Sequence, residues 1–199
     1  MIIFKDGIYY LIFTLLLFLN FIVLPNYILI ISGLLLLFYI FIIFYEPKLT
    51  INPIQKIMLS PVNGKVYKIR EEEMEGKKYT VLSFGLRPFK SHLNKIPLDG
   101  KVVYKKGYTD LKSSKFIKSK IAIESEFGTY LMEQTSYCIF KKLIFYPEIN
   151  DAVYAGTTCG YSLLFSNLDL YIPDNFELLV NISSRLNAGE DIVARLKDL

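Results

Sequence analysis

Two uncharged apolar stretches lie side by side at the start of the chain and limit what it can fold into. Residues 8–24 and residues 27–45 contain no charged side chain, and only Pro25 and Asn26 separate them. As helices rising 1.5 Å per residue, each would be roughly 26–28 Å long, close to the ~30 Å hydrocarbon core of a bilayer. The pattern predicts a two-helix hairpin over residues 1–45 that anchors the chain, either as two transmembrane spans or as a shallow re-entrant hairpin.

A signal peptide and a buried core hairpin both fit this apolar region less well than an anchor does. A cleaved signal peptide is disfavoured because the apolar region is too long, lacks a small-residue cleavage site and continues at once into a second apolar stretch. A buried core hairpin is disfavoured by the length of two adjacent uncharged stretches. A membrane anchor is therefore the leading interpretation.

Basic residues near the anchor predict its orientation. They are Lys5 before it and Lys48, Lys56, Lys65, Lys68 and Arg70 after it. Because such residues tend to stay in the cytoplasm, residues 46–199 are expected to form a cytosolic domain beside the inner (cell) membrane.

The charge and composition of the chain exclude some classes of partner. The net charge is +4, with 23 basic and 19 acidic residues. This small, scattered excess suits an anionic lipid surface and argues against nucleic acid. His92 is the only histidine, so no zinc site is expected. The two cysteines, Cys138 and Cys159, are widely spaced and are expected to be reduced and buried.

After the anchor, short alternating runs separated by turn-forming residues predict β-strands. The charged stretches 71–78 and 105–120 are expected to be loops, and Ser136–Ile144 could be strand or short helix. The predicted strands are Val66–Ile69, Tyr79–Phe84, Lys101–Tyr104, Ile121–Glu124, Tyr130–Gln134, Leu163–Phe165, Leu168–Ile172 and Leu178–Ile182.

Two pairs of segments resemble each other within the chain. Residues 61–66 (PVNGKV) resemble residues 97–102 (PLDGKV), and residues 153–156 (VYAG) resemble residues 186–189 (LNAG). Asn-Gly and Asp-Gly favour turns, and each segment is expected to lead into a strand. The repetition predicts a mainly β, compact barrel-like or sandwich-like domain with approximate internal symmetry, although glycine turns recur in any β protein.

The only histidine lies in a distinctive segment, residues 88–102 (PFKSHLNKIPLDGKV). This segment resembles the P-x-D-V-H-x-N-R-x-P-x-D-G motif of the short phosphatidylserine decarboxylase proenzymes. Further segments resemble other motifs of that family in the same order: residues 44–47 (FYEP), 60–66 (SPVNGKV), 134–142 (QTSYCIFKK), 160–173 (GYSLLFSNLDLYIP) and 186–196 (LNAGEDIVARL). The resemblance covers nearly the whole chain, including the anchor.

The resemblance implies a proenzyme that cuts itself between Phe165 and Ser166. Residues 1–165 would become one fragment and residues 166–199 the other. Ser166 would be converted to a pyruvoyl group, a covalent cofactor whose carbonyl withdraws the electrons released when CO₂ leaves phosphatidylserine. The product would be phosphatidylethanolamine, and no metal is implied. The partners would be a membrane phospholipid, the chain's own two fragments and, in a homo-oligomer, further copies of the chain.

Other site residues are implied by position in the family's motifs. His92 falls on the family's histidine, which suits proton transfer because its pKa is near neutral. Asn63 falls on an aspartate that orients this histidine. Lys141 and Lys142 fall on paired arginines and would meet the lipid phosphate as point charges.

Two departures from the family pattern keep an alternative open. Asn63 cannot stabilise an imidazolium by charge. Phe165 replaces a glycine whose backbone freedom permits close approach. The alternative is an uncleaved, non-catalytic homologue that binds anionic lipid or a partner enzyme.

Overall fold

The structure, a computed structural model, describes residues 2–3, 12, 14–15, 27–46, 56–74, 76–108, 117–136, 144–162 and 166–197. The chain divides into two compact units. The N-terminal unit consists of Met1–Lys48 and Phe89–Ser91, and the β unit consists of Leu49–Pro88 and His92–Leu199.

The N-terminal unit contains helix α1 (Tyr27–Phe44). Its sequence has no charge and no proline, so nothing interrupts the helical hydrogen bonds. The short strands β1 (Ile2–Ile3) and β2 (Tyr45–Glu46) pair antiparallel in the same unit. Several large apolar side chains of α1 are about half exposed or more, namely Ile31, Leu34, Leu35, Leu36 and Phe38.

The predicted pair of membrane-spanning helices is not supported. Among the helices of the described residues, none is both long and apolar enough to cross a membrane. The 18 residues of α1 rise about 27 Å, which is short of a ~30 Å hydrocarbon core. Of the other predicted span, 8–24, only residues 12, 14 and 15 are described, so α1 is the one helix of the expected hairpin with described bounds.

The β unit is built from short and medium strands, as the alternating pattern predicts. They are β3 (Ile57–Leu59), β4 (Gly64–Met74), β5 (Lys77–Leu86), β6 (Leu93–Lys95), β7 (Gly100–Tyr108), β8 (Ile117–Ser125), β9 (Gly128–Ser136), β10 (Ile144–Phe145), β11 (Ala152–Val153), β12 (Thr158–Tyr161), β13 (Ser166–Pro173), β14 (Phe176–Leu178), β15 (Arg185–Leu186) and β16 (Ile192–Leu196). The mainly β fold class is confirmed.

These strands form one large sheet and two small ones. The large sheet has eight antiparallel strands in the order β11-β7-β8-β9-β13-β5-β4-β15. The small sheets have the orders β10-β12-β6 and β14-β16-β3. Six of the predicted strands fall within β4, β5, β7, β8, β9 and β13.

The charged stretch 71–78 is a β-hairpin rather than the loop that its composition suggests. Strands β4 and β5 run through it and turn at Gly76, where φ is 73°. Glu73 lies directly opposite Lys78 in this hairpin. Opposite charges across an antiparallel pair attract, so the charges here support the strands. The loop prediction was wrong because pairing across strands is not visible in a single stretch of sequence.

Two other boundaries also differ from prediction. The expected loop 105–120 is partly strand, since β7 continues to Tyr108 and β8 begins at Ile117. Of the expected strand Leu178–Ile182, only Leu178 is in a strand, because β14 ends there. The chain then enters a turn in which Ser183 has a φ of 77°. Outside the described residues lie 109–116, Leu163–Phe165 and residues 137–143 of Ser136–Ile144.

The internal symmetry expected from the repeated segments is present in the strand order. Reversing the order of the large sheet exchanges β11 with β15, β7 with β4, β8 with β5 and β9 with β13. The irregularity after Val66 in β4 recurs after Val102 in β7. Val66 pairs with Phe84, and Val102 pairs with Ile123, so the two halves share the same register at this point.

The turns of the two halves also make equivalent hydrogen bonds. The Gly189 amide donates to the Ser60 carbonyl, and the Gly156 amide donates to the Ile96 carbonyl, both at 2.8 Å. Gly189 and Gly156 have φ values of 73° and 72°, a conformation that glycine adopts without strain. This conformational need explains why the Ala-Gly segments repeat.

The hydrophobic core lies on one face of the large sheet. Successive residues of a strand point to opposite faces, so alternate residues share a face. Leu168 and Leu170 of β13 are fully buried. They pair with Gln134 and Met132 of β9, which are also fully buried. Ser166 and Gln134 belong to the same buried rows. The site discussed below is thus built at one end of the core.

The close packing of β7 against β8 gives a direct test of the fold. A Cβ atom at Gly100 would collide with the Glu124 carbonyl oxygen and lie 2.7 Å from Ile123 Cγ2. We expect Gly100→Ala to lower the free energy of unfolding by about 1–3 kcal/mol. Gly107 in the same strand has no described atom within 4 Å of such a Cβ, so Gly107→Ala should be neutral or stabilising. Chemical denaturation followed by circular dichroism measures both, and equal effects would contradict the packing described.

Candidate active site

Ser166, at the predicted cleavage position, is the first residue of β13. Its strand lies between β5 and β9, and Ser166 pairs with Ser136. The side chain is 2% exposed, and Oγ has no hydrogen-bond partner within the described residues. Buried hydroxyl groups are normally hydrogen-bonded, so this one is unusual and is suited to a nucleophile. Phe165, the other residue at the predicted cleavage site, lies outside the described residues.

His92 lies just before β6 and is 2% exposed. Its Nε2 is 3.3 Å from the Arg87 carbonyl oxygen, and Nδ1 has no hydrogen-bond partner in the described part of the chain. Because a carbonyl oxygen only accepts, the neutral ring carries its proton on Nε2 and keeps a lone pair on Nδ1. Nδ1 is therefore the atom able to take up a proton.

The surroundings of His92 favour its neutral form. Burial lowers the pKa of the imidazole below its ordinary value of 6.5, and the carbonyl groups of Arg87 and Ser162 partly oppose this change. Burial acts in this direction because a charged ring loses its hydration. At neutral pH the ring is uncharged, which is the state that a general base requires.

Asn63 lies just before β4 and closes a turn. Its Oδ1 accepts a hydrogen bond from the Ala188 amide at 3.1 Å, as Asp99 Oδ1 accepts one from the Ala155 amide at 2.6 Å in the symmetry-related turn. An aspartate at position 63 could therefore make the same bond. His92 makes no ring hydrogen bond to Asn63 among the described contacts, so the predicted direct pairing is not observed.

Asn63 and Ser166 nevertheless lie at the same end of the large sheet. Asn63 precedes β4, Ser166 opens β13, and β5 runs between them. In register, Asn167 pairs with Gly85, which pairs with Lys65. Neighbouring strands are about 4.8 Å apart, so the backbones of these two segments are separated by roughly two strand spacings.

His92 is connected to the same end of the sheet in two ways. The Arg87 carbonyl faces its ring, and the Arg87 amide donates to the Asn63 carbonyl at 3.1 Å. The His92 carbonyl accepts from the Ser162 amide at 3.0 Å, and the four-residue step from Ser162 to Ser166 spans at most about 14 Å. The backbones of Asn63, His92 and Ser166 are thus connected to the same end of the large sheet.

Two buried polar side chains at this end of the core were not predicted as site residues. Asn94 Oδ1 accepts from Ser162 Oγ at 3.1 Å, while Asn94 Nδ2 has no partner within the described ranges. Gln134 is fully buried, and neither of its side-chain polar atoms has a described partner. Both residues lie inside segments that resemble family motifs, and this was the sequence signal that could have identified them as site residues.

Lys95, at a position where the family has arginine, is buried beside Cys159. Its Nζ donates to Thr158 Oγ1 at 2.7 Å. Burial raises the pKa of the Cys159 thiol to about 12, although the Lys95 cation acts in the opposite direction. The prediction that Cys159 is buried is confirmed, and its thiol is free among the described residues. Cys138, Lys141 and Lys142 lie outside the described residues.

The surroundings of Ser166 fit the pyruvoyl group that the resemblance implies. That group would form from Ser166 itself, whose Oγ is a buried polar atom with no described partner. Gln134 on the same face offers an unused amide donor for a carbonyl. Within the described residues, no group of three or more His, Cys, Asp or Glu side chains could hold a metal ion.

The burial of His92 predicts how stability depends on pH. Its folded pKa is below 6.5, so the unfolded chain binds more protons as the pH falls below that value. The stability due to the neutral ring should be present above about pH 6.5 and lost as pH falls through the folded pKa. The free energy of unfolding, measured with urea, should fall more between about pH 7 and about pH 5 in the Ser166→Ala chain than in the same chain that also carries His92→Gln. Equal losses would contradict a buried neutral histidine.

Comparisons with known proteins show which family the chain resembles across its length. The family model described as phosphatidylserine decarboxylase matches residues 38–194. A phosphatidylserine decarboxylase proenzyme of Wolbachia sp. subsp. Brugia malayi is 30% identical over 169 residues, covering 77% of this chain and 74% of the relative. The proenzyme of the same name from Amoebophilus asiaticus is 27% identical, covering 77% and 73%. No solved structure matches the chain.

The matched region contains every site residue discussed above. Residues 38–194 include His92, Asn63 and Ser166 as well as all of the large sheet. The names of the relatives favour a decarboxylase over the non-catalytic alternative. A family match across most of the chain, together with relatives of this identity and coverage, shows that the chain belongs to the phosphatidylserine decarboxylase family of enzymes.

Proposed function

We propose that this enzyme decarboxylates phosphatidylserine, or a close analogue with the same head group, after cutting its own chain between Phe165 and Ser166. The observation that carries the proposal is the buried Ser166 Oγ without a described partner, at the position where the family motif implies the cut. Membership of the family supports the reaction type.

Self-cleavage would begin with attack by Ser166 Oγ on the carbonyl carbon of Phe165. The new Oγ–C bond forms as the C–N bond breaks, and the hydroxyl proton ends on the nitrogen of residue 166. His92 Nδ1 is the candidate to carry this proton because it holds a free lone pair at neutral pH. The ester intermediate keeps the two parts of the chain joined.

Elimination then completes the cut. Loss of the Cα proton of residue 166 breaks its Cβ–O bond and releases residues 1–165 with a carboxylate end. Water replaces the nitrogen, which leaves as ammonia, and a pyruvoyl group begins the fragment 166–199. Once formed, that group supplies an electron-accepting carbonyl to the carbon that loses CO₂.

The chain's own residues would bind the head group and manage protons. His92 is the candidate to return a proton to the carbon that has lost CO₂. Lys141 and Lys142 are proposed to meet the lipid phosphate as point charges. The burial around Ser166 keeps water away from the reacting atoms, which strengthens electrostatic interactions there.

The enzyme is proposed to work on a lipid surface. Helix α1 exposes large apolar side chains such as Leu35 and Phe38, and such a surface is stabilised by contact with lipid. Attachment would raise the effective concentration of a lipid substrate. The cytoplasmic side, predicted from the basic residues, and assembly with further copies of the chain remain predictions.

The test is a decarboxylation assay with the purified full chain. Vesicles that contain phosphatidylserine should yield CO₂ and phosphatidylethanolamine in equal amounts, and vesicles of phosphatidylcholine alone should yield neither. A cleaved protein that leaves phosphatidylserine unchanged would contradict the proposed substrate.

A further inference from the structure

Phe89 is a large aromatic residue that the fold leaves exposed, although it lies only three residues before the buried His92. Its side chain is 74% exposed, and its neighbours Pro88 and Lys90 are exposed too. Removing such a ring from water is favourable, so an exposed ring gains free energy when a partner covers it. A single exposed apolar residue needs no explanation, so the residues around Phe89 decide whether it has a partner.

The ring of Phe89 extends an apolar surface on helix α1. It meets the ring of Tyr39 edge to face, with the ring centroids 6.1 Å apart and the planes at 73°. Leu35 and Leu36 lie one helical turn before Tyr39, at the spacing that makes side chains neighbours on a helix. Their side chains are 65% and 48% exposed. These four side chains form one apolar surface within the N-terminal unit, to which Phe89–Ser91 belongs.

The loop that carries Phe89 is closed at its base by His92. His92 Nε2 lies 3.3 Å from the Arg87 carbonyl oxygen, so the two ends of the loop are held together. The base belongs to the β unit, and the tip, Phe89–Ser91, belongs to the N-terminal unit. Three residues of chain span at most about 11 Å, so a contact made by Phe89 is made close to the candidate general base.

The charges beside Phe89 indicate what covers this surface. Lys90 follows Phe89 and is exposed, and Arg87 lies two residues before Phe89. An apolar surface bordered by cations suits the boundary of an anionic bilayer, where rings enter the acyl region and cations meet phosphate groups. The loop therefore has the chemistry of a segment that docks on anionic lipid.

We propose that residues 87–91 form a lipid-docking loop, in which Phe89 inserts between the acyl chains of an anionic bilayer and Lys90 contacts lipid phosphate groups. The inference rests on the proposed action at a lipid surface and adds a contact next to His92, separate from Lys141 and Lys142. Docking through this loop would hold the histidine close to the level of the lipid head groups.

The first test uses the absence of tryptophan from the chain, since Phe89→Trp then supplies a single fluorescent reporter at the loop tip. The purified full chain is reconstituted in vesicles of phosphatidylcholine and phosphatidylglycerol. Its emission should be quenched when the lipids carry bromine on their acyl chains, and it should be protected from iodide in the buffer. Both results require the indole to lie among the acyl chains.

Tyr154→Trp is the matched control, because Tyr154 is an aromatic residue of similar exposure, 64%, in the β unit. Its surroundings are acidic instead of basic: Asp151 lies three residues before it, and Asp99 accepts a hydrogen bond from the next residue, Ala155. An anionic bilayer repels such a site. The emission of Tyr154→Trp should therefore be quenched by iodide and unaffected by brominated lipids.

A second test asks whether docking contributes to catalysis on a membrane. The kcat/KM of the full chain is measured with phosphatidylserine in phosphatidylcholine vesicles and with a soluble short-chain phosphatidylserine. Losing one inserted aromatic side chain in Phe89→Ser should lower the ratio of the first value to the second by roughly tenfold or more. Phe89→Leu should lose less because its side chain is still apolar, and Tyr154→Ser should keep the wild-type ratio.

Three results would overturn the inference. The first is equal quenching of Phe89→Trp and Tyr154→Trp by brominated lipids. The second is protection of Phe89→Trp from iodide without quenching by bromine, which would show that protein, such as a second copy of the chain, covers the loop. The third is an unchanged ratio in Phe89→Ser. A wild-type chain that decarboxylates neither substrate would instead remove the proposed function, and the fluorescence test of the loop would still stand.

Discussion

Ser166→Ala should remain a single chain and release no CO₂ from phosphatidylserine. Alanine removes the only atom of residue 166 that can attack the preceding carbonyl, so neither the ester nor the pyruvoyl group can form. The loss should be complete, since no described residue can replace a carbonyl cofactor derived from residue 166. The fold should be kept, because Ser166 Oγ makes no described hydrogen bond.

A denaturing gel and the CO₂ assay check this result together. Ser83→Ala is a suitable control, since Ser83 is also a buried serine of the large sheet, but it bonds to Arg70 on the other face. That variant should be cleaved and active. Fragments of wild-type size from Ser166→Ala would show that the cut lies elsewhere.

His92→Gln should slow self-cleavage by about 10²–10⁴-fold, the usual contribution of a positioned general base. Glutamine can still place a nitrogen donor near the Arg87 carbonyl, as His92 Nε2 does, so the local structure should survive. It offers no group that takes up a proton near neutral pH. The variant therefore separates the chemistry of the imidazole from its hydrogen bond.

The rate of chain cleavage in cell-free synthesis measures the effect of His92→Gln. Unfolding of the uncleaved variant by urea serves as its control for folding. Cleavage at the wild-type rate would remove His92 from the mechanism and leave proton transfer to another group.

Much of the β unit could be predicted from local sequence patterns. Alternation in Leu168–Ile172 and Tyr130–Gln134 predicts half-buried strands, and both occur as expected. The repeated Asn-Gly and Asp-Gly turns predict internal symmetry because both halves need the same backbone conformations. Stretch 71–78 was misassigned because the partner of Glu73 lies on another strand, and only the folded hairpin brings Lys78 opposite it.

The candidate site was harder to predict than the fold. The motifs indicate Ser166 and His92 as candidate site residues, and the structure finds both buried, each with a polar atom that has no partner among the described residues. The contacts of Asn63 did not follow, because its Oδ1 closes a turn with Ala188, 125 residues away. Gln134 was overlooked because an unsatisfied amide is recognised only when its neighbours in space are known.

The predicted membrane anchor shows how a helix length close to the bilayer thickness limits prediction. An uncharged stretch predicts a helix, and α1 forms over Tyr27–Phe44. Whether such a helix crosses a bilayer depends on a few residues at its ends, since each adds only about 1.5 Å. Composition alone could not settle this point for a stretch so close to the required length.

The most direct test of self-cleavage is the intact mass of the purified wild-type protein under denaturing conditions. Cleavage before Ser166 predicts two chains, of 165 residues and of 34 residues (199 − 165), and the smaller should begin with a keto group that reacts with hydrazines. A single chain of 199 residues and 23.0 kDa that stays whole on incubation would contradict it.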